Sequence, residues 1–119
     1  MTPIELERAA ASDTVAWAHD QLDLRYREIG FAVDADERTV RRWEGREVAP
    51  RGHHRAKLEE LRELRHLLKT VFDSPAEALE WLHSSIPAFR GRTPISLIRQ
   101  GKIETVVGVL ATIESGAYL

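Results

Sequence analysis

Residues 55–72, RAKLEELRELRHLLKTVF, place Leu58, Leu61, Leu64, Leu68, Val71 and Phe72 at steps of three and four. Side chains so spaced share one face of a 3.6-residue helix, so the stretch predicts an amphipathic helix of about five turns. The apolar stripe of so long a helix has to be covered by other elements, and those read as helices too. β-branched residues are few and show no sustained alternation with polar ones. The expected fold class is all-α, with an N-terminal bundle of short helices joined by the long helix to a C-terminal helical portion.

Start and stop signals divide the remainder. Asp13 and Thr14 are candidate caps for a first helix running through Trp17 to about residue 22, which leaves residues 1–12 as an N-terminal tail. A second short helix is expected over about residues 25–33, with Ile29 and Val33 on one face. VDAD breaks it. Asp36 can then cap a third helix over residues 37–43, since its carboxylate accepts an orphan backbone N–H, and Glu37 suits the positive end of that helix. Gly45 and Pro50 end this region. Ser74 with Pro75, and Thr93 with Pro94, each join an N-cap to a proline at the first helical position; Gly101 stops the second of these helices. The last helix, about residues 102–114, carries Ile103, Val106, Val107, Val109, Leu110 and Ile113. Those positions cover more than one narrow stripe, so it is either a central core helix or one whose second face meets a partner. Gly116 stops it before a final AYL. The segments expected are a tail 1–12, a helix-turn-helix 13–54 and a helical domain 55–119.

Composition closes several doors. The chain has 119 residues, 43% of them hydrophobic, enough for a core. It has no cysteine, so disulfides and Cys-based zinc sites are impossible. No apolar run resembles a secretory h-region or approaches the ~20 residues of a membrane span, so a cytoplasmic location and no membrane partner are expected. His53 and His54 are adjacent, with no carboxylate or Cys cluster beside them in sequence, which argues against a metal. Ser84 and Ser85 lack the glycine frame of a nucleophile elbow, and none of the familiar Gly-rich phosphate loops is present. No catalytic residues, cofactor or metal are expected, and the protein should not be an enzyme.

Charge is unevenly placed. The net formal charge is -2, and residues 1–36 hold three Arg against eight acids. Residues 37–70 hold ten Arg or Lys against six acids. In DERTVRRWEGREVAPRGHHR, Val40 and Trp43 can face inward together while Glu37, Arg38, Arg41 and Arg42 fall on outer faces. Two short helices with a tight break, the second arginine-faced, suggest a helix-turn-helix whose second helix enters a DNA major groove. Arg can grip guanine edges and Thr39 can reach bases or phosphates. Arg46, Arg51 and Arg55 would flank that helix as phosphate contacts. The same charges also fit a solvated, salt-bridged face, partly neutralised by Glu44 and Glu47.

LDLRYREIGFAVDADERTVRRWEGREVAP resembles the helix-turn-helix of Xre/Cro-type regulators. Gly30 falls on that family's small first-helix residue and Asp36 on its capping Ser; Thr39, Val40, Trp43, Gly45 and Pro50 follow in step. Asp34 stands where the pattern usually has Gly. The resemblance implies that Tyr26 touches the DNA backbone. The second half, from Val71 onward, is similar to the toxin-binding domain of Xre/MbcA/ParS-type antitoxins through Phe72, Trp81, Leu82, Pro87, Phe89, Gly91, Pro94, Leu97, Gly101, Val106, Leu110, Ile113 and Gly116.

This second resemblance implies an antitoxin of a type II toxin–antitoxin system. Its partner would be a RES-domain toxin that consumes NAD, neutralised by covering the toxin's NAD site. Operator DNA would be a second partner, through which the operon is autoregulated. Homodimers and toxin–antitoxin hetero-oligomers are expected. The toxin-binding residues expected are Arg90, Gly91 and Arg92 in a loop, Val109, Ile113 and Gly116 on the last helix, and the tail Ala117, Tyr118 and Leu119. Arginine pairs well with carboxylates, and tyrosine is favoured at interfaces. The competing reading is a stand-alone transcription regulator whose second half dimerises or senses a ligand.

Overall fold

The first helix begins ten residues ahead of the Asp13–Thr14 signal, at Pro3. Thr2 is its cap: the Thr2 hydroxyl accepts from the Glu5 N–H at 3.2 Å, and the Glu5 carboxylate accepts from the Thr2 N–H at 3.1 Å. Two orphan N–H groups are thus satisfied reciprocally, with Pro3 already holding a helical φ. The expected tail 1–12 is therefore corrected to the first half of a helix. Thr14, once a candidate cap, lies inside that helix, buried, and its hydroxyl donates back to the Ala10 carbonyl at 2.9 Å.

The computed structural model describes residues 1–116. Its α-helices are α1 (Pro3–Asp20), α2 (Tyr26–Val33), α3 (Glu37–Glu44), α4 (Gly52–Val71), α5 (Pro75–Leu82), α6 (Pro94–Arg99) and α7 (Ile103–Glu114), with a 3-10 turn at Pro87–Phe89. No strand occurs among the described residues, so the fold is all-α as expected. The chain divides into two units, Met1–Glu59 and a second beginning at Glu60; the division falls inside α4, a little beyond the expected 54/55.

In the first unit α1, α2 and α3 pack on one another and bury Val15, Ala18, Leu22, Leu24, Ile29, Val33, Val40 and Trp43. Each full burial of a large apolar side chain stabilises by about 1.5–3 kcal/mol. A polar tie joins the first helix to the third: buried Ser12 donates its hydroxyl to the Glu44 carbonyl at 2.6 Å, satisfying one of the orphan carbonyls at the end of α3.

Along α4, Leu58, Leu61, Leu64, Leu67 and Leu68 are buried, while Val71 and Phe72 are half-buried. In the second unit Ser74 caps α5 and Thr93 caps α6, each hydroxyl accepting a backbone N–H at 3.2 Å. Leu82, Phe89, Ile95, Leu97, Ile98, Ile103, Val106 and Leu110 are buried there. Phe72, Trp81 and Phe89 form an aromatic chain with centroids 5.6 and 6.4 Å apart.

Candidate nucleic-acid interface and partner-binding half

The turn between α2 and α3 is built from backbone outward. Asp34 takes φ 60, ψ 40, the left-handed conformation that Asp tolerates better than most residues. The Asp34 and Ala35 N–H groups both donate to the Gly30 carbonyl, the second at 2.9 Å. This brings the Ala35 carbonyl so near Gly30 that a Cβ there would lie 2.4 Å from its oxygen. Asp36 then caps α3: the Thr39 N–H donates to its carboxylate at 2.7 Å. Hydrogen bonds from Thr39, its hydroxyl first and then its N–H, hold the Asp36 carboxyl below the usual carboxylate range.

His53 and His54 also belong to this turn. His53 Nε2 meets the Asp34 carboxylate at 2.7 Å, and His54 Nε2 donates to the Asp34 carbonyl at 2.9 Å, with its ring edge-on to Trp43. The pair clamps the departure from the glycine pattern. No group of three or more metal-ligating side chains occurs among the described residues.

On α3, Val40 and Trp43 face the core; at about 100° per residue, Arg38 then lies at the middle of the opposite face and Arg42 about 50° to one side of it. Both are exposed. Arg41, also exposed, lies about 50° to the other side, 3.3 Å from Glu37 and with its guanidinium carbon 4.5 Å from the Tyr26 ring centroid. Tyr26 donates its hydroxyl to Glu44 at 2.6 Å and stacks on His19. The bond to Glu44, and then partial burial, raise the Tyr26 pKa. Tyr26, Glu37 and Arg41 are thus brought together. Arg55 pairs with Glu7 of α1 at 3.2 Å. Thr39 is half-buried, and Arg51 is exposed just ahead of α4.

Arg46 has a different peculiarity. The Glu47 N–H donates to the Arg42 carbonyl at 2.9 Å and the Arg46 N–H to that of Trp43 at 3.0 Å, the paired bonds of a Schellman ending. Its left-handed position is held by Arg46 at φ 60, not by Gly45 at φ -76. The glycine sits one residue early for relief of strain. Arg46→Gly is expected to stabilise the first unit by about 0.5–1 kcal/mol, a rise of a few degrees in a thermal melt. An unchanged or lower melting temperature would refute the assignment of strain.

In the second unit Arg90, Gly91 and Arg92 form an exposed loop tip over buried Phe89. The tip is tied by its own backbone: Gly91 N–H to the Ile86 carbonyl and Ile86 N–H to the Arg92 carbonyl, both at 3.1 Å. Arg90 and Gly91 are both left-handed, φ 58 and 83, and Arg92 Nε donates to the Phe89 carbonyl at 3.2 Å. On α7, Ile103, Val106 and Leu110 point inward, whereas Val109 and Ile113 are half-exposed. Gly108 is exposed, with open space where a Cβ would stand. The helix therefore has a core stripe and a second apolar side left partly uncovered. Gly116 follows at φ 81; Ala117, Tyr118 and Leu119 lie outside the described residues.

Sequence reasoning missed Ser12, His19 and Glu44 as parts of this architecture. Nothing local marks them, because each contributes through a contact between helices. The Asp34–histidine clamp had a faint signal in the His-His pair itself.

An arginine-faced α3 set by a tight turn, and a second helical unit whose last described helix keeps Val109 and Ile113 half-exposed, make an all-α protein of two units. The profile described as the antitoxin Xre/MbcA/ParS C-terminal toxin-binding domain matches residues 67–116. Mycobacterial cidal antitoxin MbcA of Mycobacterium tuberculosis and that of Mycobacterium bovis are each 30% identical over 108 residues, which covers 91% of this chain and 95% of theirs. The crystal structure of the M. tuberculosis MbcT-MbcA toxin-antitoxin complex holds a chain similar in fold, with a TM-score of 0.60 and 30% identity over 91% of this chain and 96% of that one. The chain belongs to the Xre/MbcA/ParS antitoxin family. No helix among the described residues is long and apolar enough to cross a membrane.

Proposed function

We propose that this antitoxin neutralises a RES-domain, NAD-consuming toxin by covering the toxin's NAD site with its second unit, and binds operator DNA through α3 of its first. The observation that carries the reading is the match to MbcA over nearly the whole of both proteins, a relative whose solved structure is a toxin–antitoxin complex. Supporting it, the family's toxin-binding profile spans α7, whose Val109 and Ile113 are not fully buried by the described chain. The Arg90–Arg92 tip offers two exposed guanidinium groups to toxin carboxylates. The mechanism is occlusion: a tightly fitted face excludes the dinucleotide, and the chain performs no chemistry. The arginines of α3 give the first unit its affinity for phosphate and base edges.

The test is NAD loss by a RES-domain toxin, titrated with the full chain and with one ending at Gly116. The full chain should stop NAD loss at a fixed molar ratio. The shortened chain should bind the toxin about thirtyfold more weakly, the effect of removing an aromatic anchor worth about 2 kcal/mol. Equal inhibition would remove the tail from the mechanism and leave α7 to carry it. Absence of both inhibition and binding would overturn the antitoxin–toxin pairing proposed.

A further inference from the structure

Tyr26, the first residue of α2, is held by side chains from two other helices. From α1 comes His19, whose ring is nearly parallel to the Tyr26 ring, with centroids 4.1 Å apart and planes 15° from each other. His19 is itself fixed: Nδ1 lies 2.9 Å from the Leu24 carbonyl, which offers only lone pairs, so Nδ1 carries the proton. From α3 comes Glu44, whose carboxylate accepts the Tyr26 hydroxyl at 2.6 Å and whose carbonyl is pinned by Ser12 at 2.6 Å. The phenol's proton is therefore committed, and the acceptor that holds it is anchored at both ends. What the tyrosine still offers is its ring, and Arg41 has its guanidinium carbon 4.5 Å from that ring's centroid while Nη2 reaches Glu37 at 3.3 Å.

We propose that Tyr26 is a positioning residue: its ring, stacked on His19 and steered by Glu44, holds the Arg41 guanidinium to grip a DNA phosphate, and its hydroxyl makes no contact with DNA. The proposal rests on the DNA-binding role of α3. Arg41 suits a phosphate better than a base because it lies on the side of the exposed face toward α2, resting on the Tyr26 ring at the start of that helix. A flexible arginine loses rotamer freedom when it binds; one already resting on a ring and tethered to Glu37 loses less. On contact, the guanidinium's remaining N–H groups meet the phosphate oxygen while Nη2 keeps its bond to Glu37. This differs from the role that resemblance implied for Tyr26, a direct touch to the backbone. An acceptor-bound hydroxyl would have to abandon Glu44 and leave that carboxylate beside the DNA phosphates.

The experiment measures binding to a labelled mixed-sequence duplex of about 30 base pairs, long enough for two half-sites one turn apart, at several salt concentrations. The proteins are the wild type, Tyr26→Phe, Tyr26→Ala, Arg41→Ala and the Tyr26→Ala/Arg41→Ala pair, with Tyr26→Leu to keep the volume should alanine unfold the chain. Tyr26→Phe should bind within about twofold of wild type, since the ring persists. Tyr26→Ala or Tyr26→Leu should weaken binding about two- to fivefold, the scale of an exposed cation–π contact. Arg41→Ala should lower the log–log salt slope by about one, the signature of one lost phosphate contact. In the Arg41→Ala background the tyrosine substitution should have no further effect, which a purely structural role would not produce. The proposal falls if phenylalanine loses as much as alanine, for then the hydroxyl is the contact. It falls too if the tyrosine effect persists without Arg41. A wild type that binds no duplex at any salt concentration would instead withdraw the DNA-binding role and this proposal with it.

Discussion

Arg38→Ala combined with Arg42→Ala is expected to weaken operator binding by a factor of about thirty or more while the fold stays intact. The two side chains lie one helical turn apart on the exposed face of α3, opposite buried Val40 and Trp43. A well-placed arginine contact to a base edge is worth about 1–3 kcal/mol, so removing two removes at least about 2 kcal/mol. Surface substitutions of this kind change stability by only about 0.5 kcal/mol, so binding and folding separate cleanly. Arg55→Ala makes the natural comparison: a flanking phosphate contact, here paired with Glu7 at 3.2 Å, reads no sequence, so its loss should weaken binding to both duplexes alike. The measurement is anisotropy with the DNA upstream of the gene, set against an unrelated duplex, at two salt concentrations. Loss confined to the upstream DNA assigns base reading to the pair. Binding unchanged in strength and salt slope would refute α3 as the reading helix.

The second large effect concerns Gly30. Gly30→Ala should destabilise the protein by about 1–3 kcal/mol, the usual scale of forced overpacking. Two terms compete. Alanine is the better helix former by about 1 kcal/mol, which alone would stabilise α2. Against it stands a Cβ placed 2.4 Å from the Ala35 carbonyl oxygen. That oxygen is backbone, fixed between left-handed Asp34 and the Asp36 cap of α3, so it cannot swing aside as a side chain would. The clash wins. A denaturant melt should show a lower midpoint at unchanged slope, and a heat melt a drop of several degrees or more, at about 4–8 °C per kcal/mol for a unit of this size. A rise in midpoint would mean that the turn relaxes easily. Because the displaced carbonyl lies directly before the cap of α3, DNA binding should fall along with stability.

How much of this was readable in advance depended on the range of the interaction. Asp36, Ser74 and Thr93 were legible as caps because a cap acts on an N–H three residues away, and the proline beside two of them reinforces the signal. The inward pairing of Val40 with Trp43 followed from helical spacing alone. The start of α1 is equally local, written in Thr2, Pro3 and Glu5, but the alanines that follow carry no strong apolar rhythm to announce a helix. Gly45 marks the stop of α3 in the sequence, whereas the left-handed residue is Arg46; glycine preference cannot fix such a position to the residue. The stack of His19 on Tyr26 and the grip of Glu44 on its hydroxyl depend on how three helices meet, and no sequence spacing encodes that. The expected loop arginines 90 and 92 stand exposed, whereas the bond from Arg92 Nε to the Phe89 carbonyl and the left-handed backbone at Arg90 follow from how the loop closes, which no spacing states.

The histidine clamp on Asp34 ties together positions that a linear reading keeps apart. His53 holds the carboxylate, whereas His54 holds the carbonyl, which every residue possesses. One tether therefore depends on the identity of residue 34 and the other does not. Glycine at 34 would relax the backbone yet strand His53, and replacing His53 would leave an acid in a left-handed turn with one hold fewer. Changes at 34 and 53 are thus coupled in a way that changes at 34 and 54 are not. A designer or a lineage altering this turn would do best to move the first two together.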